Sequence, residues 1–183
     1  MNKQIDISNV VLKTERLILR SWQLTDVDDF YEYAKVDGVG QMAGWLPHEN
    51  IDQSKEIIEH FIKGKKTFAL EYNGKVIGSL GIEEYNEDEF PEYDNLSGRE
   101  LGYVLSKDYW GKGLMPEAAK AVINYLFEVE KLDFITVGHF AWNNQSKRVA
   151  EKCGFKFVKT TMYKTKYETI ENSLGYVLFN PNK

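Results

Sequence analysis

Cysteine is almost absent from this 183-residue chain, with Cys153 standing alone. A single thiol excludes an internal disulfide and any metal centre built on several cysteines. Cys153 is read as a small buried residue at a helix end rather than a nucleophile. Histidine is scarce too, and His48 and His139 have no partner at ligand spacing. Both are read as satisfied or solvated rings, and no metal site is expected. No apolar run approaches the ~20 residues a membrane span requires, so no membrane partner is expected. The start, Met1-Asn2-Lys3-Gln4-Ile5-Asp6, lacks an apolar h-region. No signal peptide is expected there, and the cytoplasm is the simplest compartment. Positive charge is in deficit, with a net charge of −5 at pH 7. That balance disfavours nucleic acid as a general partner. No repeat, low-complexity tract or Pro/Gly/Ser linker interrupts the chain, so one domain over 1–183 is expected.

What is present centres on Tyr109-Trp110-Gly111-Lys112-Gly113-Leu114-Met115-Pro116-Glu117-Ala118. Two glycines one residue apart stand before a helix pattern and after a strand-like run, Glu100 to Leu105. Glycine allows a sharp turn and a close approach of backbone to ligand. A helix start offers unpaired N–H groups and the positive end of the helix dipole. Leu114 and Met115 carry no side-chain oxygen to cap it, and Pro116 has no N–H to lose. The combination is an anion cradle suited to phosphate or pyrophosphate, or else a plain strand-to-helix turn. The P-loop string is absent. The dinucleotide fingerprint fails because Pro116 stands where its third glycine belongs.

The coarse order is strand and helix in alternation. Leu17 to Arg20 reads as a strand, and Thr25 or Asp26 caps a helix through Phe30, Tyr31 and Ala34. Asp52 caps a second helix with Ile57, Ile58, Phe61 and Ile62 at helical spacing. Thr67–Tyr72 and Lys75–Ile82 form a hairpin about Asn73-Gly74. A helix from Pro116 to about Glu130 carries one broad apolar stripe. The strand Phe134–His139 completes a βαβ unit whose two strands should be parallel. Asn143 or Asn144 caps a short helix, Gln145 to Cys153, stopped by Gly154. Phe155–Thr161 and Leu174–Phe179 close the chain as antiparallel strands. This is an α/β domain with a mixed sheet. Between the hairpin and Glu100 lies an acidic stretch, Glu83, Glu84, Glu87, Asp88, Glu89, Glu92 and Asp94. It reads either as a solvated loop or as a field that attracts a cationic substrate.

Three stretches stand out together: the cradle, the run Asn143-Asn144-Gln145-Ser146-Lys147-Arg148-Val149-Ala150-Glu151-Lys152-Cys153-Gly154-Phe155 and the segment Thr14-Glu15-Arg16-Leu17-Ile18-Leu19-Arg20. Together they resemble the GNAT superfamily of N-acetyltransferases, in its branch of ribosomal-protein N-terminal alanine and serine acetyltransferases. The resemblance spans about residues 12 to 179. It implies a single-domain GNAT-like fold with a mixed, mostly antiparallel central sheet, about four helices and a parallel βαβ unit at the coenzyme A site. It implies acetyl-CoA as cosubstrate, no metal, and direct transfer to a primary amine. The acceptor is first a protein N-terminal α-amine, then a polyamine, amino acid or aminoglycoside. A non-catalytic acyl-CoA-binding sensor is the reading from another class. A monomer or homodimer is expected.

Residue by residue, the resemblance makes Glu100 the general base, against a solvated strand carboxylate. It makes Ser146 the acid that protonates the leaving thiolate, against a first-turn serine satisfying local N–H groups. Tyr163 is the alternative acid. Backbone groups of Trp110, Gly111, Lys112, Gly113, Leu114 and Met115 would hold the pyrophosphate, and those of Val104 and Leu105 the pantetheine amides. Asn143 would contact the pantetheine arm, serve as a helix cap, or both. Lys147 and Arg148 would reach the adenosine phosphate. Trp45 is either a substrate wall, which Glu100 would share, or a core anchor.

Overall fold

The computed structural model describes all 183 residues. In chain order the elements are β1 (Leu12–Lys13), β2 (Ile18–Ser21), α1 (Val27–Ala34), α2 (Ile51–Gly64), β3 (Thr67–Tyr72) and β4 (Lys75–Glu83). Then follow β5 (Gly98–Leu105), α3 (Leu114–Glu128), β6 (Phe134–Phe140), α4 (Asn144–Lys152), β7 (Lys156–Lys164) and β8 (Ile170–Phe179). The strands form one eight-stranded sheet in the order β1-β2-β3-β4-β5-β6-β8-β7. Every neighbouring pair is antiparallel except β5 and β6.

Local chemistry explains the elements. Asn73 and Gly74 both take positive φ, 50° and 80°, as the tight β3–β4 turn demands. On α3 the side chains Leu114, Met115, Ala118, Ala119, Val122, Ile123, Leu126 and Phe127 are all buried. Their spacing makes the single apolar stripe that packs on the sheet. Strand alternation then divides the interior. Phe68, Leu70, Leu101 and Leu105 join α3 and Ala150 of α4 in the larger core. Ala69 and Val76 face the other way, onto Trp22, Phe30, Tyr33 and Ile58 beneath α1 and α2. The sheet is therefore covered on both faces.

Two expected caps differ. Asn50, not Asp52, caps α2, accepting the Gln53 N–H at 2.9 Å. Asp52 is the second residue of the helix, where its charge suits the dipole but its oxygen is not the cap. Asp26 does precede α1, but its carboxylate is taken by the Arg20 guanidinium at 2.9 Å and the Gln23 N–H at 2.8 Å.

Two features of the sheet prepare the site. β5 and β6 pair only from Gly98↔Phe134 to Leu101↔Val137. Beyond that level β5 continues on β4 as far as Leu105, while β6 continues on β8 as far as Phe140. The parallel pair thus opens like a fork. The acidic stretch folds as two short 3-10 turns, Glu87–Glu89 and Pro91–Tyr93, over the small cluster Tyr85, Phe90, Phe134 and Val177. Much of its charge is already paired: Glu83 with Lys66 at 2.6 Å, Glu84 with Arg99 at 3.5 Å and Glu92 with Lys159 at 3.2 Å. Glu87 accepts the Asn2 N–H at 2.6 Å.

Candidate active site

The fork between β5 and β6 widens into a cleft of about 550 Å³. At one end lies the loop that joins β5 to α3. Gly111 and Gly113 hold φ of 75° and 76°, a conformation that side chains with a Cβ adopt at a cost. No heavy atom would meet a Cβ on Gly111, so conformation rather than space requires glycine there. Gly113 occupies the cap position of α3 and no side chain caps the helix. The N–H groups of Gly111, Lys112, Gly113, Leu114 and Met115 donate to no acceptor in the chain. Five successive unpaired donors running into a positive helix end suit an anion. Arg16 fastens this loop, donating to the Lys112 carbonyl at 2.9 Å and pairing with Glu117 at 2.7 Å.

The strand edge leading from the loop is only partly as expected. Val104 stands opposite Ser79, and the Ser106 N–H donates to Ile77 O at 2.7 Å. Antiparallel ladders turn alternate residues toward the partner. Val104 therefore turns its main chain to β4, whereas Tyr103 and Leu105 turn theirs to the fork. The open edge of the fork is thus formed by the main chain of Tyr103 rather than by that of Val104. The Leu105 carbonyl is already taken by the Trp110 indole N–H at 2.8 Å, which leaves Leu105 its N–H.

At the throat of the fork, side-chain alternation sends Glu100 and Tyr103 to opposite faces of the sheet. Glu100 lies on the α1/α2 face, half-buried, between Glu83 of β4 and Thr136 of β6. Burial pushes its pKa up from 4.5 to about 7; the Thr136 hydroxyl, at 3.3 Å, opposes that rise. On the α4 face the Tyr103 hydroxyl meets Ser146 Oγ at 2.9 Å. Burial raises the Tyr103 pKa, so the phenol stays protonated. The Ser146 N–H donates to Asn143 Oδ1 at 3.0 Å, which makes Asn143 the α4 cap.

Of the expected site residues, Glu100, Ser146, Asn143, Val104, Leu105, Trp110, Gly111, Gly113, Leu114 and Met115 all line this cleft. Three side chains do not. Lys112 is exposed, its Nζ lying 5.0 Å from the Tyr109 ring centre. Lys147 points out to Glu151 at 3.9 Å, while Arg148 and Lys152, one turn apart on α4, line the cleft instead. Trp45 packs on His48 with ring centres 5.2 Å apart and against Gly40. It is partly buried against the α1/α2 core and does not line the cleft. His139 also lines the cleft and corrects a second expectation: its Nδ1 meets the Phe140 carbonyl at 2.8 Å, but its buried Nε2 has no partner. Burial lowers its pKa and keeps the ring neutral. The far end of the cleft is walled by Val39, Met42, Ala43, Phe140 and Tyr163.

Tyr103 is the contributor that sequence reasoning missed, although a signal was present. It sits at the odd positions of β5 with Leu101 and Leu105, opposite in phase to Glu100, and so had to face α4.

An open strand pair thus leads into an uncapped helix start, with a carboxyl of raised pKa at the throat. Residues 16–156 match the acetyltransferase (GNAT) domain, and the chain belongs to that family of N-acetyltransferases. It is 28% identical over 153 residues to an uncharacterized N-acetyltransferase, p20, of Bacillus licheniformis, covering 79% of this chain and 82% of that one. It is 33% identical over 98 residues to a spermine/spermidine N(1)-acetyltransferase of Bacillus subtilis (strain 168), half of this chain (50%) and 60% of the relative. A GNAT-family acetyltransferase from Bacillus anthracis superposes with TM-score 0.80 at 23% identity, covering 93% of this chain and 99% of the other. A ribosomal L7/L12 alpha-N-protein acetyltransferase, solved in complex with coenzyme A, superposes with TM-score 0.77 at 13% identity, covering 95% and 100%. The four helices and the mixed sheet are those of the GNAT fold, and no helix is long and apolar enough to cross a membrane.

Proposed function

We propose that the chain, as one domain over 1–183, transfers acetyl from acetyl-CoA directly to a protein N-terminal α-amine. Acetyl-CoA, when bound, supplies a thioester carbonyl. The five free N–H groups of Gly111 to Met115 suit its pyrophosphate, and Arg148 and Lys152 its outer phosphate. Tyr103 and Leu105 offer main-chain groups to the pantetheine arm in the manner of an added strand. Glu100 takes the proton from the acceptor ammonium, directly or through water. Ser146, held by Tyr103, directs its hydroxyl to the sulfur as negative charge develops there. Tyr163, exposed at the far wall, serves the acceptor end in this reading.

The choice of acceptor rests on Glu100, a half-buried carboxyl that lines the cleft at its throat and whose pKa burial raises to about 7. An α-ammonium of pKa ~7.7–8.0 hands its proton to such a group at a cost of about 1 kcal/mol. An alkylammonium of pKa ~10.4 costs about 4–5 kcal/mol, which slows the step by a further two to three orders of magnitude. Glu83, already paired with Lys66, adds little uncompensated charge for a second ammonium.

A polyamine acceptor has one observation in its favour. Glu83 stands opposite Glu100 across β4 and β5 and lines the same cleft, so two acids face one space. Thiol release measured with a peptide bearing a free N-terminal alanine or serine, against spermidine, separates the two. A kcat/KM at least tenfold higher for the peptide near pH 7.5 supports the α-amine reading. The reverse preference replaces it with the polyamine.

A further inference from the structure

Asn143 makes a second bond that capping does not explain. Because its Oδ1 accepts the Ser146 N–H, the other carboxamide atom is Nδ2. Nδ2 donates to the main-chain carbonyl of Met42 at 3.3 Å, across 101 residues of sequence. Asn143 is only 5% exposed, so water competes little for either bond. Met42 lies in the 3-10 turn Gly40–Ala43, which supplies the wall at the far end of the cleft.

That turn is set between two glycines of positive φ, Gly38 at 86° and Gly44 at 84°. Glycine reorients there more freely than any other residue. Locally Gln41 bonds Asp37 and the Gly38 N–H. The other long-range ties come from the β7–β8 connection: the Lys166 N–H to Gly44 O at 2.8 Å and the Tyr167 hydroxyl to Gln41 O at 3.4 Å. From the cosubstrate side, only the Asn143 carboxamide reaches it by hydrogen bond. The same side chain therefore caps the helix that carries Ser146 and Arg148 and holds the wall of the acceptor end.

The geometry points to Asn143 as a positioning residue that couples the two ends of the cleft. A cosubstrate that steadies the start of α4 steadies the carboxamide, and the carboxamide then steadies the 40–44 turn. By reciprocity the acceptor strengthens cosubstrate binding by the same factor. The inference rests on the assignment of the two ends made above and is independent of which amine is acetylated.

Asn143→Asp keeps an oxygen for the cap and removes the N–H that reaches Met42. Asn143→Ser keeps a neutral cap too short to reach. Amide hydrogen exchange of residues 40–44 is followed with and without coenzyme A, and coenzyme A affinity is measured by calorimetry. The wild type should bind coenzyme A and exchange these amides more slowly when it is bound. Both variants should bind coenzyme A within about threefold of wild type. Their 40–44 amides should exchange roughly three- to tenfold faster, the effect of one net hydrogen bond, and coenzyme A should no longer slow them. With an N-terminal alanine peptide, acceptor KM should rise by a similar factor while kcat changes less. Unaltered exchange at 40–44 in both variants would overturn the coupling. So would a collapse of coenzyme A affinity in both, which would make Asn143 a direct cosubstrate ligand. A wild type that fails to bind coenzyme A removes the reading of the cleft itself, and the coupling with it.

Discussion

Replacing Glu100 by glutamine should remove activity and add stability, and the second effect should depend on pH in a defined window. The carboxyl ionises near 4.5 in the unfolded chain and near 7 in the folded one, because burial disfavours its charge. At ~1.36 kcal/mol for each tenfold change in proton affinity, the difference amounts to about 3 kcal/mol. The sign follows from which state holds the proton. Between those two pH values the native state keeps it and the unfolded state has lost it. Native stability therefore falls as pH rises from 4.5 to 7 and levels off above. Glutamine does not titrate, so the variant escapes that loss. Melting temperatures of the two proteins should run parallel below pH 4.5, diverge up to pH 7 and stay apart beyond it. Their separation should be at most about 6–12 °C for a chain of this size. Thiol-release assays on the same samples should show kcat/KM of the wild type rising through pH 7 and the variant lower by ~10²–10⁴-fold. A melting difference that is flat from pH 4.5 to 8 would refute the raised pKa. Unchanged activity of a folded Glu100→Gln protein would remove Glu100 from the chemistry, whatever its pKa.

Gly111→Val and Gly113→Val force a β-branched residue into positive φ at the anion cradle. Each should abolish acetyl-CoA binding by calorimetry while far-ultraviolet circular dichroism stays native, and undiminished affinity in either would contradict the pyrophosphate assignment. Tyr103→Phe keeps the ring and removes the hydroxyl that meets Ser146 at 2.9 Å. It should lower kcat about tenfold with little change in acetyl-CoA affinity; Ser146→Ala should lower kcat at least as much, and the double variant no further, since the two act as one unit. Neutralising Glu87, Asp88, Glu89 and Glu92 to their amides should leave acceptor KM within about twofold at low salt. Glu92 is spent on Lys159 and Glu87 on Asn2, and a KM rise that salt abolishes would restore the segment as a recruiting field.

What could be read beforehand and what could not divides along physical lines. The cradle was legible because positive φ leaves a mark in sequence: Gly111 and Gly113 stand where no other residue rests easily. The hairpin at Asn73-Gly74 was legible for the same reason, and the α3 stripe because its period is long and unbroken. Lys147 and Arg148 were harder. Neighbours on a helix differ by about 100° in direction, so which one faces the cleft depends on where α4 begins. That start is fixed by the Asn143 oxygen closing on the Ser146 N–H, which selects Asn143 over Asn144 as the cap. The main-chain direction of Val104 was hidden for a related reason: it follows from the register of β5 on β4, and strand propensity carries no register. Trp45 left two environments open because an aromatic in a loop serves a core and a pocket equally well, and its packing on the α1/α2 cluster depends on how that loop folds. The bond from Asn143 to Met42 lies furthest from reach. Nothing local to position 143 distinguishes a carboxamide that only caps from one that also spans to a turn 101 residues away. Yet the residue type records it: a serine or an aspartate caps a helix as well as asparagine does, and of the three only asparagine offers both an acceptor and an N–H donor.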